Sequence, residues 1–149
     1  MLKTIPPSFT PDLLRMMMAM GHGEELLIAD GNFPSMSTGA PSIPRIYVPV
    51  ADMTALFADI LKFFPLDETV ESPLAVMESA RESGAYAQYR AAADRAGIKA
   101  PIAMIERFAF YERAAGVAGI VITSSQVKGG NILMKKGVVR DNIGKNGNH

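Results

Sequence analysis

The sequence predicts one α/β domain, with a mostly parallel or mixed sheet flanked by helices. Short apolar runs typical of buried strands alternate along the chain with segments that repeat apolar residues at helical spacing. This alternation is typical of folds in which helices cover a largely parallel sheet. A chain of 149 residues fits one domain and can bury about two thirds of its unfolded surface, and no internal repeat or linker divides it.

The boundaries of the first helix and strand follow from a few residues. Thr10 can cap a helix that begins at Pro11, and apolar residues recur at helical spacing up to Gly21, which favours a helix end. The run Glu25–Asp30 predicts a buried strand that ends at a carboxylate. Residues 31–44 are rich in Gly, Ser and Pro and predict a loop.

The middle of the chain predicts strands and helices in alternation. Asp52 can cap a helix whose apolar stripe begins at Met53 and stops at Pro65. An extended stretch over 45–50 precedes this helix, and Pro49 places it at a sheet edge or at a strand end. The other segments are strands over 74–77 and 102–105 and an alanine-rich helix over 86–96.

The C-terminal part predicts a short helix and two more strands. The helix covers 108–115, and the strands cover 117–123 and 131–135. The connection between these strands is short enough to predict that they are antiparallel neighbours. The last ten residues, 140–149, are polar and rich in Gly and Asn, so we expect a frayed tail after a domain that covers 1–139.

Composition and charge narrow the functional classes. Fifteen Lys and Arg balance fifteen Asp and Glu, so no net positive field favours nucleic acid or a membrane, and we expect neither as a partner. The chain has no cysteine, which excludes disulfides and thiol catalysis and is typical of a reducing compartment. No apolar run approaches the roughly 20 residues of a membrane span, and the N-terminus does not resemble a signal peptide. We therefore expect a cytoplasmic protein.

Polar residues lie at three of the predicted strand ends, where ligands bind in open α/β sheets. Asp30 ends the first strand, Arg107 follows a later one, and Lys128-Gly129-Gly130-Asn131 leads into the last. Asp30 can bind hydroxyl groups, orient a base, or cap a helix or loop after the strand. Arg107 can clamp substrate oxygens through its planar fork or pair with Glu106 or Glu112. The glycine-rich segment offers backbone N–H groups and an amide, although a Gly-Gly hairpin turn explains the same pattern.

His22 is the candidate for proton transfer. The other histidine, His149, falls in the predicted tail, and imidazole suits proton transfer in both directions near neutral pH. The flanking Gly21 and Gly23 leave the ring accessible, although a helix-capping histidine in a glycine turn explains the same pattern. His22 and Asp30 stand at opposite ends of one strand, about 20 Å apart if it is straight. Chain folding or a subunit interface is needed to bring them into one pocket.

Other chemistries have less support in the sequence. Neither a glycine-rich phosphate loop nor a nucleophile-elbow motif is present. His22 has no second histidine at ligand spacing, so we predict no metal site.

Five ordered motifs resemble the fucose mutarotase and ribose pyranase (RbsD/FucU-like) family over nearly the whole chain. They are Met20–Glu25, Ala29-Asp30 with Phe33-Pro34, Arg107–Ala114, Ile120–Thr123 and Gly130–Leu133. The third motif is similar to the fucose branch, since the ribose branch tends to carry histidine where Arg107 stands. Gly129 stands where the fucose branch usually has a tyrosine, and whether Tyr47 or Tyr111 replaces that ring stays open at the level of the sequence.

The resemblance implies a three-layer, RbsD-like fold and cofactor-independent interconversion of the α and β anomers of L-fucose or a related monosaccharide. It implies that His22 is the general acid/base and that Asp30, Arg107, Gly129, Gly130 and Asn131 bind the sugar. It also implies a homo-oligomer, commonly a decameric ring, with active sites near subunit contacts. Two alternatives stay open: a D-ribose pyranase that interconverts pyranose and furanose forms, and a non-catalytic sugar-binding accessory of carbohydrate uptake.

Overall fold

Within residues 1–140, six strands and four α-helices form one α/β domain, which confirms the predicted fold class. The computed structural model describes residues 1–140, so all but the first residue of the predicted tail over 140–149 lies outside the described residues. The elements, in chain order, are α1 (Pro11–Ala19), β1 (Glu25–Ala29), β2 (Arg45–Tyr47), α2 (Met53–Leu61), β3 (Leu74–Met77), α3 (Ala85–Arg95), β4 (Ile102–Ile105), α4 (Arg107–Ala114), β5 (Gly119–Ile122) and β6 (Ile132–Lys135).

The first two helices, α1 and α2, begin at the caps that the sequence predicts. The Leu13 N–H donates to Thr10 Oγ1 at 3.1 Å, and the Ala55 N–H donates to Asp52 Oδ1 at 2.9 Å. Each side chain satisfies a backbone donor that has no partner within the helix. Within residues 1–140, no helix is long and apolar enough to cross a membrane.

The sheet is mixed, with the strand order β2-β5-β1-β6-β3-β4. All neighbouring strands are parallel except β6, which runs antiparallel to both β1 and β3. The prediction that β5 and β6 are antiparallel neighbours is therefore wrong, and so is the Gly-Gly hairpin turn between them. Their connection, residues 123–131, is longer than the roughly two to five residues of most hairpin loops, and it carries the chain past the end of β1.

Helices cover both faces of the sheet and make three layers. On β1, Leu26 and Ile28 pack into a core shared with α1, α2 and α3, whereas Leu27 and Ala29 pack into a second core with Phe110 of α4. This alternation is the two-residue period of a strand. Because β1 is buried on both faces, only the two ends of this strand are accessible to a ligand. The polar residues that the sequence analysis named as candidates lie at such strand ends.

Candidate active site

A cavity of about 780 Å³ opens where the parallel strands end. Asp30 follows β1, Ser79 lies just beyond β3 and Arg107 follows β4. Asn131 joins them because β6 runs antiparallel and begins at this edge, and Gly129 lies beside it. The cavity falls in the range of about 300–1,000 Å³ typical of small-molecule sites. The structure thus brings together four of the predicted binding residues.

Asp30 and Asn131 form the buried floor of this cavity. Asp30 is 6% exposed and Asn131 is 2% exposed. The Asp30 N–H donates to Asn131 Oδ1 at 2.7 Å, and the Asn32 N–H donates to Asp30 Oδ1 at 2.8 Å. Asp30 Oδ1 therefore closes a local turn, which is the capping role that the sequence predicts for this residue. Within residues 1–140, neither Asp30 Oδ2 nor Asn131 Nδ2 has a hydrogen-bond partner, so the pair offers an acceptor and a donor to a ligand.

Replacing Asn131 with alanine is expected to lower the free energy of unfolding by about 1–3 kcal/mol, because the buried Asp30 N–H loses its acceptor. Urea unfolding followed by circular dichroism measures the change. Asn32→Ala is the matched control, since that amide also lines the cavity but is exposed. An equal loss in both variants would contradict a special role for the Asn131 oxygen.

Arg107 is the first residue of α4 and projects from the start of that helix. Glu106 caps the helix by accepting from the Phe108 and Ala109 N–H groups at 2.9 and 3.1 Å. The guanidinium carbon lies 5.6 Å from the centre of the Tyr111 ring, within range of a cation–π contact. Within the described part of the chain, Arg107 makes no ion pair with Glu106 or with any other carboxylate. Its exposed fork is therefore available to ligand oxygens.

Gly129 closes one wall of the cavity in a conformation that favours glycine. Its φ is +68°, and an added Cβ would collide with the Ser79 hydroxyl and lie 3.2 Å from the Ala80 nitrogen. A side chain at this position would therefore strain the backbone and displace Ser79. Tyr111 lines the cavity, whereas Tyr47 does not. Of these two tyrosines, Tyr111 is thus the one whose ring lies at the cavity.

Gly130 does not line the cavity with its neighbours. It lines an adjacent, smaller cavity, and its carbonyl accepts the Tyr89 hydroxyl. Burial raises the pKa of Tyr89, as do the charges of Asp30 and Asp52, so the hydroxyl stays protonated and remains a donor. Tyr89 thereby holds the backbone that carries Gly129 and Asn131.

His22 lies at the opposite edge of the sheet, in the turn before β1. The length of β1, which has five residues, separates the His22 turn from the cavity, and this length is roughly 17 Å. The ring is 47% exposed, and its Nε2 lies 3.1 Å from Asp67 Oδ1. His22 therefore contacts a carboxylate that is distant in the sequence, and it does not cap α1. Within one chain, His22 does not reach the cavity.

Asp67, which contacts His22, is a residue that the sequence analysis did not predict. It is 4% exposed, and Oδ1 accepts from both the Oγ1 hydroxyl and the N–H of Thr69, at 2.7 and 2.9 Å. These bonds, and His22 to a smaller extent, lower the pKa of Asp67 to about 2, so it is ionised at neutral pH. Asp67 lies 45 positions from His22 in an irregular segment, and no local motif marks it. Among residues 1–140, no three His, Asp or Glu side chains are placed to hold a metal ion.

The fold and the cavity together define an α/β protein with a small-molecule site at the carboxyl ends of its strands. Residues 3–139 match the RbsD / FucU transport protein family, and the chain belongs to that family. It is 39% identical to human fucose mutarotase over 145 residues, which cover 93% of this chain and 94% of that protein. It is 38% identical to L-fucose mutarotase of Actinobacillus pleuropneumoniae over 143 residues, or 93% and 97% of the two chains. The crystal structure of Streptococcus pneumoniae fucose mutarotase in complex with L-fucose matches with a TM-score of 0.85 and 34% identity, covering 93% of this chain and 100% of that one.

Proposed function

We propose that this protein is an isomerase that interconverts the α and β anomers of L-fucose by general acid/base catalysis, without a cofactor. The observation that carries the proposal is the cavity at the strand ends, where a carboxylate, an amide and a guanidinium converge in a volume that suits a monosaccharide. The fucose mutarotases among its relatives support the choice of sugar.

Anomer exchange needs two proton transfers and no change of oxidation state. A base takes the proton of the anomeric hydroxyl, an acid protonates the ring oxygen, and the C1–O5 bond breaks to give the open-chain aldehyde. The aldehyde then rotates and closes on its other face, and the two protons return. A positioned acid/base group accelerates such steps by about 10²–10⁴-fold, and His22 takes that role in the proposal.

Asp30, Arg107 and Asn131 hold the sugar in this proposal. Asp30 Oδ2 accepts from a hydroxyl, and Asn131 Nδ2 donates to another. Arg107 donates to the oxygen on which negative charge develops as the anomeric proton leaves, a charge that its fixed cation stabilises. Gly129 contributes backbone alone, and Tyr111 supplies a ring face.

A second copy of the chain completes the site. His22 and the cavity lie at opposite edges of the sheet, so both reach one sugar only if the His22 edge of one subunit meets the cavity of its neighbour. A homo-oligomer, with a decameric ring as the expected size, satisfies this requirement. We place the protein in the cytoplasm, since the chain has no cysteine and such a composition suits a reducing compartment.

Saturation-transfer NMR on the anomeric protons of L-fucose tests the proposal. Catalytic amounts of protein are expected to raise the rate of α/β exchange above its value in buffer, and the same amount of protein kept unfolded in urea, compared with urea buffer alone, serves as the control. An unchanged rate would overturn the proposal. The same measurement on D-ribose separates the alternatives: faster pyranose–furanose exchange on D-ribose than anomer exchange on L-fucose indicates a pyranase, and sugar binding without faster exchange indicates an accessory.

A further inference from the structure

We infer that the Ser79 hydroxyl binds the sugar and selects for one of the sugar hydroxyls that take no part in the reaction. L-Fucose carries three such hydroxyls, on C2, C3 and C4. In the proposed function, on which the inference rests, Asp30 and Asn131 bind two of them and Arg107 faces the oxygen that gains charge. Ser79 binds the remaining hydroxyl and so helps to decide which monosaccharides the cavity accepts.

The sheet places Ser79 beside the floor of the cavity. β3 and β6 are antiparallel, and Val76 stands opposite Ile132. The same register, continued three residues beyond this pair, sets Ser79 opposite Gly129. Residues that face each other across antiparallel strands carry their side chains on the same face of the sheet. Ser79, Gly129 and Asn131 accordingly all line the cavity.

Gly129 leaves room for the Ser79 hydroxyl. An added Cβ on Gly129 would collide with Ser79 Oγ and lie 3.1 Å from Ser79 Cβ. The serine side chain therefore occupies the space that a side chain at 129 would take. The backbone of this segment is also held, because the Tyr89 hydroxyl donates to the Gly130 carbonyl. Ser79 is thus in place at the cavity wall before a sugar binds, which lowers the entropic cost of binding.

The Ser79 hydroxyl has no hydrogen-bond partner within residues 1–140. Ser79 lies in the short helical turn Glu78–Ala80, where a serine commonly bonds a nearby backbone group. Ser83 makes such a bond in the same segment, since its Oγ donates to the Ala80 carbonyl at 3.3 Å. Ser79 is instead partly exposed and lines the cavity. Its hydroxyl can therefore donate to a ligand there and accept from it.

Asp30, Asn131 and Ser79 together match the hydrogen-bonding needs of three sugar hydroxyls. Asp30 Oδ2 only accepts, Asn131 Nδ2 only donates, and a serine hydroxyl does either. A site that hydrogen-bonds a substrate hydroxyl discriminates against the analogue that lacks it, because a polar group of the site is then left unpaired. Since Ser79 is only partly buried, we expect its discrimination to be modest.

Packing against Gly129 is the other explanation for Ser79. Ser79→Ala separates the two roles, because it removes Oγ and keeps the Cβ that lies near Gly129. A packing residue affects the exchange of every sugar in the same way. A sugar-binding hydroxyl affects only those sugars that carry its partner.

Exchange NMR with a set of deoxy sugars tests the inference. The value of kcat/KM is measured for L-fucose and for its 2-, 3- and 4-deoxy derivatives, with wild type and Ser79→Ala, after subtraction of the exchange in buffer. We expect Ser79→Ala to lower kcat/KM for L-fucose about 2–10-fold, the effect of one neutral hydrogen bond, through a higher KM. For one of the deoxy sugars the substitution should change nothing, because the hydroxyl that Ser79 binds is already absent.

Ser83→Ala is the matched control for this measurement. It removes a serine hydroxyl from the same segment, but that hydroxyl is bonded to backbone and lies outside the cavity. We expect it to leave kcat/KM unchanged for all the sugars. An unchanged kcat/KM for L-fucose in Ser79→Ala, or an equal loss for L-fucose and every deoxy sugar, would overturn the inference.

Binding measured without turnover separates this inference from the proposed function. The dissociation constant of L-fucose, from titration calorimetry, should rise about 2–10-fold in Ser79→Ala. If wild type binds L-fucose without faster exchange and Ser79→Ala binds it more weakly, the proposed activity fails and the Ser79 contact stands. If wild type accelerates exchange and Ser79→Ala matches its kcat/KM, the activity stands and the contact fails.

Discussion

Replacing His22 with alanine is expected to lower the rate of L-fucose anomer exchange by about 10²–10⁴-fold, the contribution typical of a positioned acid/base group. The fold should not change. The His22 ring is 47% exposed and lies outside both hydrophobic cores, and a surface substitution of this kind changes the free energy of unfolding by about 0.5 kcal/mol or less. Asp67 keeps its two hydrogen bonds from Thr69 in the variant.

Saturation-transfer NMR gives the exchange rate, and thermal unfolding followed by circular dichroism checks the fold. His149→Ala is the matched control, because it removes the only other histidine of the chain. We expect it to exchange L-fucose at the wild-type rate. A His22→Ala variant that folds and keeps that rate would remove His22 from the mechanism.

The helices and strands could be predicted because their signals are local. Thr10 and Asp52 cap helices through their own side chains, and both hydrogen bonds are present in the structure. The strand predictions for 74–77 and 102–105 match β3 and β4 residue for residue. A short apolar run between turn residues is typically buried as a strand in a small α/β domain. The short helical turn at Glu78–Ala80 was missed, because three residues carry no periodic pattern.

The order of the strands could not be predicted in the same way. The spacing of β5 and β6 along the chain favoured a hairpin, but β1 pairs with both of them and lies between. Strand order is decided by which faces each strand buries. A strand such as β1, apolar on both faces, is stable in the middle of the sheet and displaces the local pairing.

The cavity was easier to predict than the histidine's partner. Asp30 and Arg107 follow strands directly, and the rule that ligands bind at the carboxyl ends of strands places them together. Asp67 precedes β3 by several residues of irregular backbone, and its contact with His22 depends on where β6 lies between the two segments. Such a pair is a product of tertiary structure, so only the structure reveals it.

The separation of His22 from the cavity has a direct consequence for assembly. Within one chain, the cavity holds titratable groups of its own, Glu78, Glu82 and Lys128 among them. A site confined to one subunit would have to use these groups as acid and base. A site shared between two subunits would use His22 instead, so the two arrangements assign the chemistry to different residues.

Mixing two inactive variants is expected to restore activity if the site is shared between subunits. His22→Ala and Arg107→Ala should each be nearly inactive, and both side chains are exposed, so both variants should fold and assemble. Consider a site in a mixed oligomer that takes His22 from one subunit and Arg107 from its neighbour. This site is intact when the first subunit is the Arg107→Ala variant and the second is the His22→Ala variant. With equal amounts and random order this holds for about a quarter of the sites in a large ring, and for about half of the sites in dimers purified through both tags, since that purification removes the homodimers.

The experiment co-expresses the two variants with different affinity tags, purifies the mixed oligomers through both tags, and measures L-fucose exchange. The two variants purified separately and combined without exchange of subunits are the control, and they should stay inactive. If His22 and Arg107 act within one subunit, every subunit of the mixture carries one lesion and no activity returns. Recovery near a quarter of the wild-type rate for a large ring, or near about half for a dimer, would place the proton-transferring histidine and the sugar-binding arginine on different copies of the chain. An inactive mixture would contradict a site shared between subunits in this way.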